Sequence, residues 1–180
     1  MTNSWYVITG GPSTGKTKLI NELAKLGHKI VPEAARTLID EAVAKGLTVE
    51  EFRSDEKRFQ YDVAKLKQDT ENKLRKKDTI FFDRGMHDTI AYLKYYDFDI
   101  DSWIDSLVRK SRYQKVFILE PLERFKDDYA RTESIDFSLK IRDMLIDAYK
   151  KHEMKPISVP DIGLNNRLQF ILDSIESGEK

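Results

Sequence analysis

The chain has no cysteine among its 180 residues. That excludes a disulfide framework, thiolate zinc sites and cysteine nucleophiles together. Its three histidines, His28, His87 and His152, are far apart and lack metal-ligand spacing. There is no excess of either charge, with 31 Lys+Arg against 31 Asp+Glu. A broad basic face for nucleic acid or anionic membrane is therefore not expected. No apolar run approaches the roughly 20 residues of a membrane span. Met1-Thr2-Asn3-Ser4 carries no basic leader, and Trp5-Tyr6-Val7-Ile8 is too short for a signal peptide. Internal repeats, low-complexity tracts and linkers are also missing. What remains is 40% hydrophobic and 34% charged, enough apolar content for a core. The expectation is one soluble, cytoplasmic domain over residues 1–180, whose chemistry runs on carboxylates, lysines, arginines and hydroxyls.

Short β-rich runs alternate with helical stretches. Strands are expected at Trp5–Thr9, His28–Val31, Thr79–Phe82, Val116–Leu119 and Ile157–Val159. Helices are expected at Lys16–Leu26, Ala34–Lys45, Asp88–Tyr96 and Trp103–Lys110, and around Ile141–Ala148 and Leu164–Ile175. A long amphipathic stretch places Phe52, Phe59, Val63, Leu66 and Leu74 on roughly one face. Short, almost wholly apolar strands separated by helices predict a three-layer α/β domain with a parallel sheet covered on both faces.

Gly10-Gly11-Pro12-Ser13-Thr14-Gly15-Lys16-Thr17 fits G-x-x-x-x-G-K-[ST], with a strand before it and a helix after. Gly10 and Gly15 permit torsions and close approach that a Cβ forbids. The turn and the start of the next helix aim successive N–H groups, from Gly11 to Lys18, at phosphate oxygens. Lys16 is expected on the β- and γ-phosphates and Thr17 on Mg²⁺. A guanine-reading motif is missing, because Asn72-Lys73-Leu74-Arg75 fails at its last position. Ile80-Phe81-Phe82-Asp83-Arg84 has arginine where motor ATPases usually carry a second acid. A small ATP- and Mg²⁺-using kinase is the natural remainder.

Glu33 follows the second strand, at the carboxyl edge where open α/β sheets bind ligands. It is a candidate general base for an acceptor hydroxyl, or an ordinary acid at a helix N-terminus. Arg36, three residues on, shares its helix face. Asp83 ends the third strand, where a Mg²⁺-associated carboxylate would stand beside the loop. Arg84 would clamp substrate or the transferring phosphoryl group. The alternative for this pair is a surface ion pair. Asp88 is read first as a helix cap and second as a substrate contact.

Residues 121–136 form a charged lid segment, and Arg131 is its best candidate to reach the triphosphate; a solvated face is the alternative. Tyr92, Tyr95, Tyr96 and Phe98 suit core packing, or stacking on a base.

Together these motifs resemble the AAA-domain-28 ATPase/kinase family. The resemblance rests on Gly10–Thr17, Val31-Pro32-Glu33-Ala34-Ala35-Arg36, Phe82-Asp83-Arg84 with Asp88-Thr89-x-Ala91-Tyr92, and Asp128-Tyr129-Ala130-Arg131-Thr132-Glu133. It spans about Trp5 to Pro160. The family includes the ribosylnicotinamide kinase domain of a bifunctional bacterial regulator of NAD biosynthesis, as well as GTP- and phosphoinositide-binding relatives. The resemblance implies a P-loop kinase-like fold with five parallel strands in 2-3-1-4-5 order. It raises Glu33, Arg36, Asp83, Arg84 and Arg131 as catalytic or substrate-binding residues. Gly85 departs from the hydroxyl residue often found after the Asp-Arg pair.

The function expected is transfer of the γ-phosphate of ATP, with Mg²⁺, to a nucleoside-like hydroxyl such as that of ribosylnicotinamide. The rival is a regulatory ATPase or GTPase module without an acceptor. Partners are a nucleotide and a small molecule, with no nucleic acid and no membrane.

Overall fold

The structure, a computed structural model, describes residues 4–75, 77–122 and 132–177, with side chains at all of these except 132–135. Five strands, β1 (Trp5–Thr9), β2 (Lys29–Val31), β3 (Ile80–Asp83), β4 (Lys115–Leu119) and β5 (Ile157–Val159), form one sheet. Its order is β2-β3-β1-β4-β5, and every pairing is parallel. The helices are α1 (Lys16–Lys25), α2 (Ala34–Ala44), α3 (Val49–Phe52), α4 (Glu56–Lys73), α5 (His87–Tyr95), α6 (Ser102–Lys110), α7 (Thr132–Lys151) and α8 (Leu164–Glu176).

Side-chain alternation along the strands builds the layers. Trp5, Val7, Ile80, Phe82, Val116 and Ile118 point into one core, which contains Leu93, Leu107 and Leu145 of α5, α6 and α7. Tyr6, Ile8, Phe81, Phe117 and Leu119 point into the other, with Leu19 and Leu23 of α1 and Ile171 of α8. Both faces are dry, which is why these strands read as continuous apolar runs. A third, smaller core joins Ala34 of α2 to Phe59 and Val63 of α4.

The amphipathic stretch expected from Phe52 to Leu74 is divided. Thr48 and Glu51 close a reciprocal capping box on α3, and Asp55 starts α4 by accepting from Arg58 N at 2.9 Å. Phe52 still packs edge-on against Phe59 at 5.7 Å between ring centroids, so the apolar face survives the break. No helix among the described residues is long and apolar enough to cross a membrane.

Because the strands are parallel, Thr9, Val31, Asp83, Leu119 and Val159 all end at one edge. Ligands of open α/β sheets bind outside that edge.

Candidate active site

The segment from Gly10 to Gly15 turns the chain from β1 into α1. Gly15 is the N-cap of α1 at φ 88. A Cβ there would meet nothing nearer than 3.7 Å, so the left-handed torsion, not space, asks for glycine. At Gly11 the reason is contact, since a Cβ would lie 2.2 Å from Ser138 Oγ of α7. Ser138 Oγ itself donates to Pro12 O at 2.8 Å, seating α7 on the loop. Ser13 holds a left-handed φ of 60 and is exposed. Lys16 is buried and folds across the turn, donating to Gly11 O at 2.6 Å, Gly10 O at 3.1 Å and Thr14 Oγ1 at 3.3 Å. Burial, helped by the nearby Arg84 charge, pulls its pKa down to about 7 against the attraction of Asp83, Glu33 and Asp88. The first N–H groups of α1 have no intrahelical acceptor. With Lys16 they make a site for an anion. Thr17 and Lys18 are exposed in the first turn.

At the end of β3, Arg84 adopts φ 68, a conformation that costs a non-glycine residue about 1 kcal/mol or more. Its bonds hold it there. Its N–H donates to Ile8 O at 3.0 Å, Nε to Glu33 Oε1 at 2.8 Å and Nη1 to Gly10 O at 3.2 Å. Arg84 therefore stands between the carboxylate of Glu33, the N-cap residue of α2, and the phosphate loop.

Asp88 is not the helix cap expected of it. Met86 occupies that position without a side-chain bond, and Asp88 lies buried inside the first turn of α5. Its carboxylate gathers four donors from three segments: Thr9 Oγ1 at 2.5 Å, Tyr149 OH at 2.7 Å, and, from the turn after β3, Gly85 N at 3.2 Å and Arg84 Nη1 at 3.5 Å. A buried acid survives when it is so satisfied. The same network accounts for Gly85, where a Cβ would fall 2.5 Å from Tyr149 Oη. The tyrosine hydroxyl excludes a larger residue there.

Asp83 is the opposite case. It is buried, and its Oδ1 has no hydrogen-bond partner. Burial, then the Glu33 charge, pushes its pKa up to about 6, against the pull of Arg84 and Lys16. An orphaned carboxylate oxygen at the edge from which α1 rises, with Thr17 in its first turn, fits a hard, oxygen-seeking ion such as Mg²⁺. Among the described residues there is no cluster of three or more His, Asp or Glu that could cage a metal alone. Mg²⁺ commonly takes one or two protein ligands and completes its shell with phosphate and water.

A cavity of about 240 Å³ opens beside Arg84, walled by α2, α4 and α5. Glu33, Arg84 and Asp88 line it on the side joined by hydrogen bonds to Thr9 and to Gly10 of the phosphate loop, with Thr89, Tyr92, Phe59, Val63, Gln60, Lys67 and Arg53 around it. Arg36 reaches its rim but is largely exposed and pairs with Asp40 at 3.0 Å. Tyr92 faces the cavity with Arg84 over its ring at 5.4 Å, while Tyr95 and Phe98 pack against the core.

Lys67, Gln60 and Arg53 were not expected from sequence. Lys67 is buried, donates to Gly85 O at 2.7 Å, and has its pKa lowered by that burial. Its signal was its place four residues after Val63, a cation on an apolar helical stripe. A second cavity of about 240 Å³ lies on the other side of the loop, lined by Gly15, Lys18, Leu122, Gly163, Leu164 and Arg167. Arg131 and most of the expected lid lie outside the described residues.

The AAA-domain-28 family model, described as an AAA domain, matches residues 5–167. No curated protein sequence matches the chain. Among solved structures, thymidylate kinase from Ehrlichia chaffeensis aligns with a TM-score of 0.68 at 19% identity, over 97% of this chain and 100% of that one. The NadR protein in complex with NR aligns at 0.69 and 17% identity, over 99% of this chain and 52% of that one. The chain thus spans about half the length of NadR. Deoxyadenosine kinase from M. mycoides aligns at 0.65 and 17% identity, over 97% and 100%. At these identities the likeness shows the fold, which is that of the P-loop nucleotide kinases, with the strand order expected from sequence.

Proposed function

The chain belongs to the AAA-domain-28 family, and we propose that it acts as an ATP- and Mg²⁺-dependent kinase on a hydroxyl of a nucleoside-like small molecule. One observation carries this reading. The cavity beside Arg84 has a carboxylate, Glu33, on the side that adjoins the phosphate loop. A hydrolase needs room only for water there, whereas about 240 Å³ accommodates part of an organic acceptor.

The roles follow from placement. Lys16 and the first N–H groups of α1 hold the phosphates of the donor. Glu33 accepts the proton of the acceptor hydroxyl as that oxygen attacks the γ-phosphorus. Arg84, already bonded to Glu33 and to the loop carbonyl of Gly10, neutralises charge on the transferring phosphoryl group. Arg131 is assigned the same task from the lid. Lys67, Gln60 and Arg53 bind the acceptor from α4 and the segment before it, with Arg36 at the rim and Asp88 on the side next to the phosphate loop. The cavity of Gly15, Lys18 and Gly163 takes the base side of the donor nucleotide. Thr17 and Asp83 would hold Mg²⁺, which supplies charge neutralisation between the phosphates. Ribosylnicotinamide is the first acceptor to try, on the family resemblance and the NadR neighbours.

Glu33→Gln tests the assignment. Its kcat should fall by about 100-fold or more with an acceptor present, while KM for ATP stays within about threefold. A full-rate variant removes Glu33 from the base role. Transfer of labelled phosphate across a panel of nucleosides and nucleotides, set against phosphate release from ATP alone, tests the wider reading. Release without transfer to any acceptor would replace the kinase by a regulatory hydrolase.

A further inference from the structure

Arg167 is a cation in the buried face of a helix, 3% exposed at its side chain. Leu164, Leu168 and Ile171 of α8 pack into the core beneath the sheet, and Arg167 shares their helical stripe. Burial lowers its pKa, yet a guanidinium stays charged at any ordinary pH. Its donors go to three backbone carbonyls from three different segments. Nη1 donates to Thr14 O at 2.8 Å in the phosphate loop. Nη2 donates to Glu120 O at 2.7 Å, just beyond β4. Nε donates to Pro160 O at 2.8 Å, just beyond β5. The nearest carboxylate, Asp161, is 3.7 Å away. A core stripe gains nothing from a charge unless its bonds secure something other than packing.

The bond to Thr14 has a geometric consequence. The peptide between Thr14 and Gly15 is trans, as are all peptides among the described residues. In a trans peptide the C=O and the following N–H point in opposite directions. Arg167 holds the carbonyl of Thr14, so the N–H of Gly15 is turned away from Arg167. Gly15 sits at φ 88 with no Cβ. A peptide plane next to glycine can rotate at little steric cost, and rotation here would replace a donor by an acceptor at the anion site.

We propose that Arg167 is a positioning residue for the phosphate loop. It locks the Thr14–Gly15 peptide plane so that Gly15 N–H faces the bound phosphates. Through Pro160 it ties that plane to the loop between β5 and α8, which walls the neighbouring cavity through Asp161 and Gly163. The inference rests on the phosphate-binding part of the proposed function and says nothing of the acceptor.

Inorganic tripolyphosphate, a donor mimic without base or ribose, separates the loop from the cavity wall. Binding of ATP and of tripolyphosphate is measured by calorimetry on wild type, Arg167→Lys and Arg167→Gln, with thermal midpoints recorded for each. The lysine can reach one carbonyl at a time, so both ligands should weaken, by about tenfold in Arg167→Lys and further in Arg167→Gln. The partial rescue by lysine is a graded response that a packing role would not give. Equal affinities in folded wild type and variants would overturn the proposal. So would weakening of ATP alone, because that places Arg167 at the base cavity only. Should neither variant fold, the wild-type Gly15 amide resonance decides. It should move on adding tripolyphosphate, and an unmoved resonance in a protein that binds the ligand overturns the proposal. A wild type that binds neither ligand would instead remove the proposed function.

Discussion

At the scale of single residues, the polar groups of this core divide into those that are satisfied and those that are not. Asp88 has four donors, whereas Asp83 Oδ1 and His87 Nδ1 have none. Asp83 lies at the proposed cation site, but His87 lies deeper, stacked on the Tyr149 ring at 4.5 Å and near His152 at 5.3 Å. Burial first, then the His152 charge and Lys67, pulls the His87 pKa down to about 3, with Asp88 opposing. Between that value and the ordinary 6.5, the folded state binds fewer protons at this ring than the unfolded chain. The stability His87 supports is therefore complete above pH 6.5 and is lost as pH falls through about 3. The loss amounts to about 1.4 kcal/mol per pH unit within that window. His87→Phe keeps a ring against Tyr149 and removes the proton. Urea titrations between pH 7 and 4.5 should show a shallower decline in the variant than in wild type. Parallel declines would mean that the folded protein tolerates a charged His87.

At the scale of elements, the informative residues of α4 and α8 are those that violate the helical pattern. Apolar runs placed β1 at its observed bounds and β4 within a residue, because strands buried on both faces show no polar interruption. The edge strand β5, with Ser158 exposed at its centre, was marked instead by the flanking Pro156 and Pro160. The loop, Glu33 and the Asp83–Arg84 pair were legible because their chemistry is local in sequence. Lys67 and Arg167 were not, because a 3.6-residue pattern treats a lone cation on an apolar stripe as noise. Their partners are also remote, as Thr14 is 153 positions from Arg167. Asp88 was misread as a cap for the same reason, since its bond to Thr9 spans 79 positions. The violation itself predicts. Lys67→Met completes the stripe Phe59–Val63–Lys67 and removes a buried ammonium that has no carboxylate within 4 Å among the described ion pairs. The thermal midpoint should hold or rise by about 2–4 °C, while KM for the acceptor rises about tenfold and that for ATP does not. An unchanged acceptor KM would make Lys67 a strut for Gly85 and nothing more.

At the scale of the whole molecule, equal numbers of positive and negative residues conceal an uneven placement. Lys16, Lys67 and Arg84 are interleaved with Glu33, Asp83 and Asp88 at the carboxyl edge of the sheet, and the body of the sheet is apolar on both faces. That edge also carries unfavourable features: the left-handed Ser13 and Arg84, the buried Lys16 and the orphaned Asp83 oxygen. A polyanion supplies a counter-charge for Lys16, which now donates only to neutral acceptors of the turn, and its divalent ion supplies a partner for the Asp83 oxygen, so nucleotide should bind the folded chain and not the unfolded one. At about 1,000 times Kd, such a ligand stabilises by about 4 kcal/mol, which for a chain of this size is a midpoint shift on the order of 10 °C. Differential scanning fluorimetry with ATP and Mg²⁺ should show that shift, and excess EDTA should reduce it by leaving Asp83 unpartnered. Lys16→Ala should lose the shift while its own midpoint without nucleotide equals or exceeds that of wild type, because a buried ammonium has been removed. A full shift retained in Lys16→Ala would place the triphosphate somewhere other than the turn between β1 and α1.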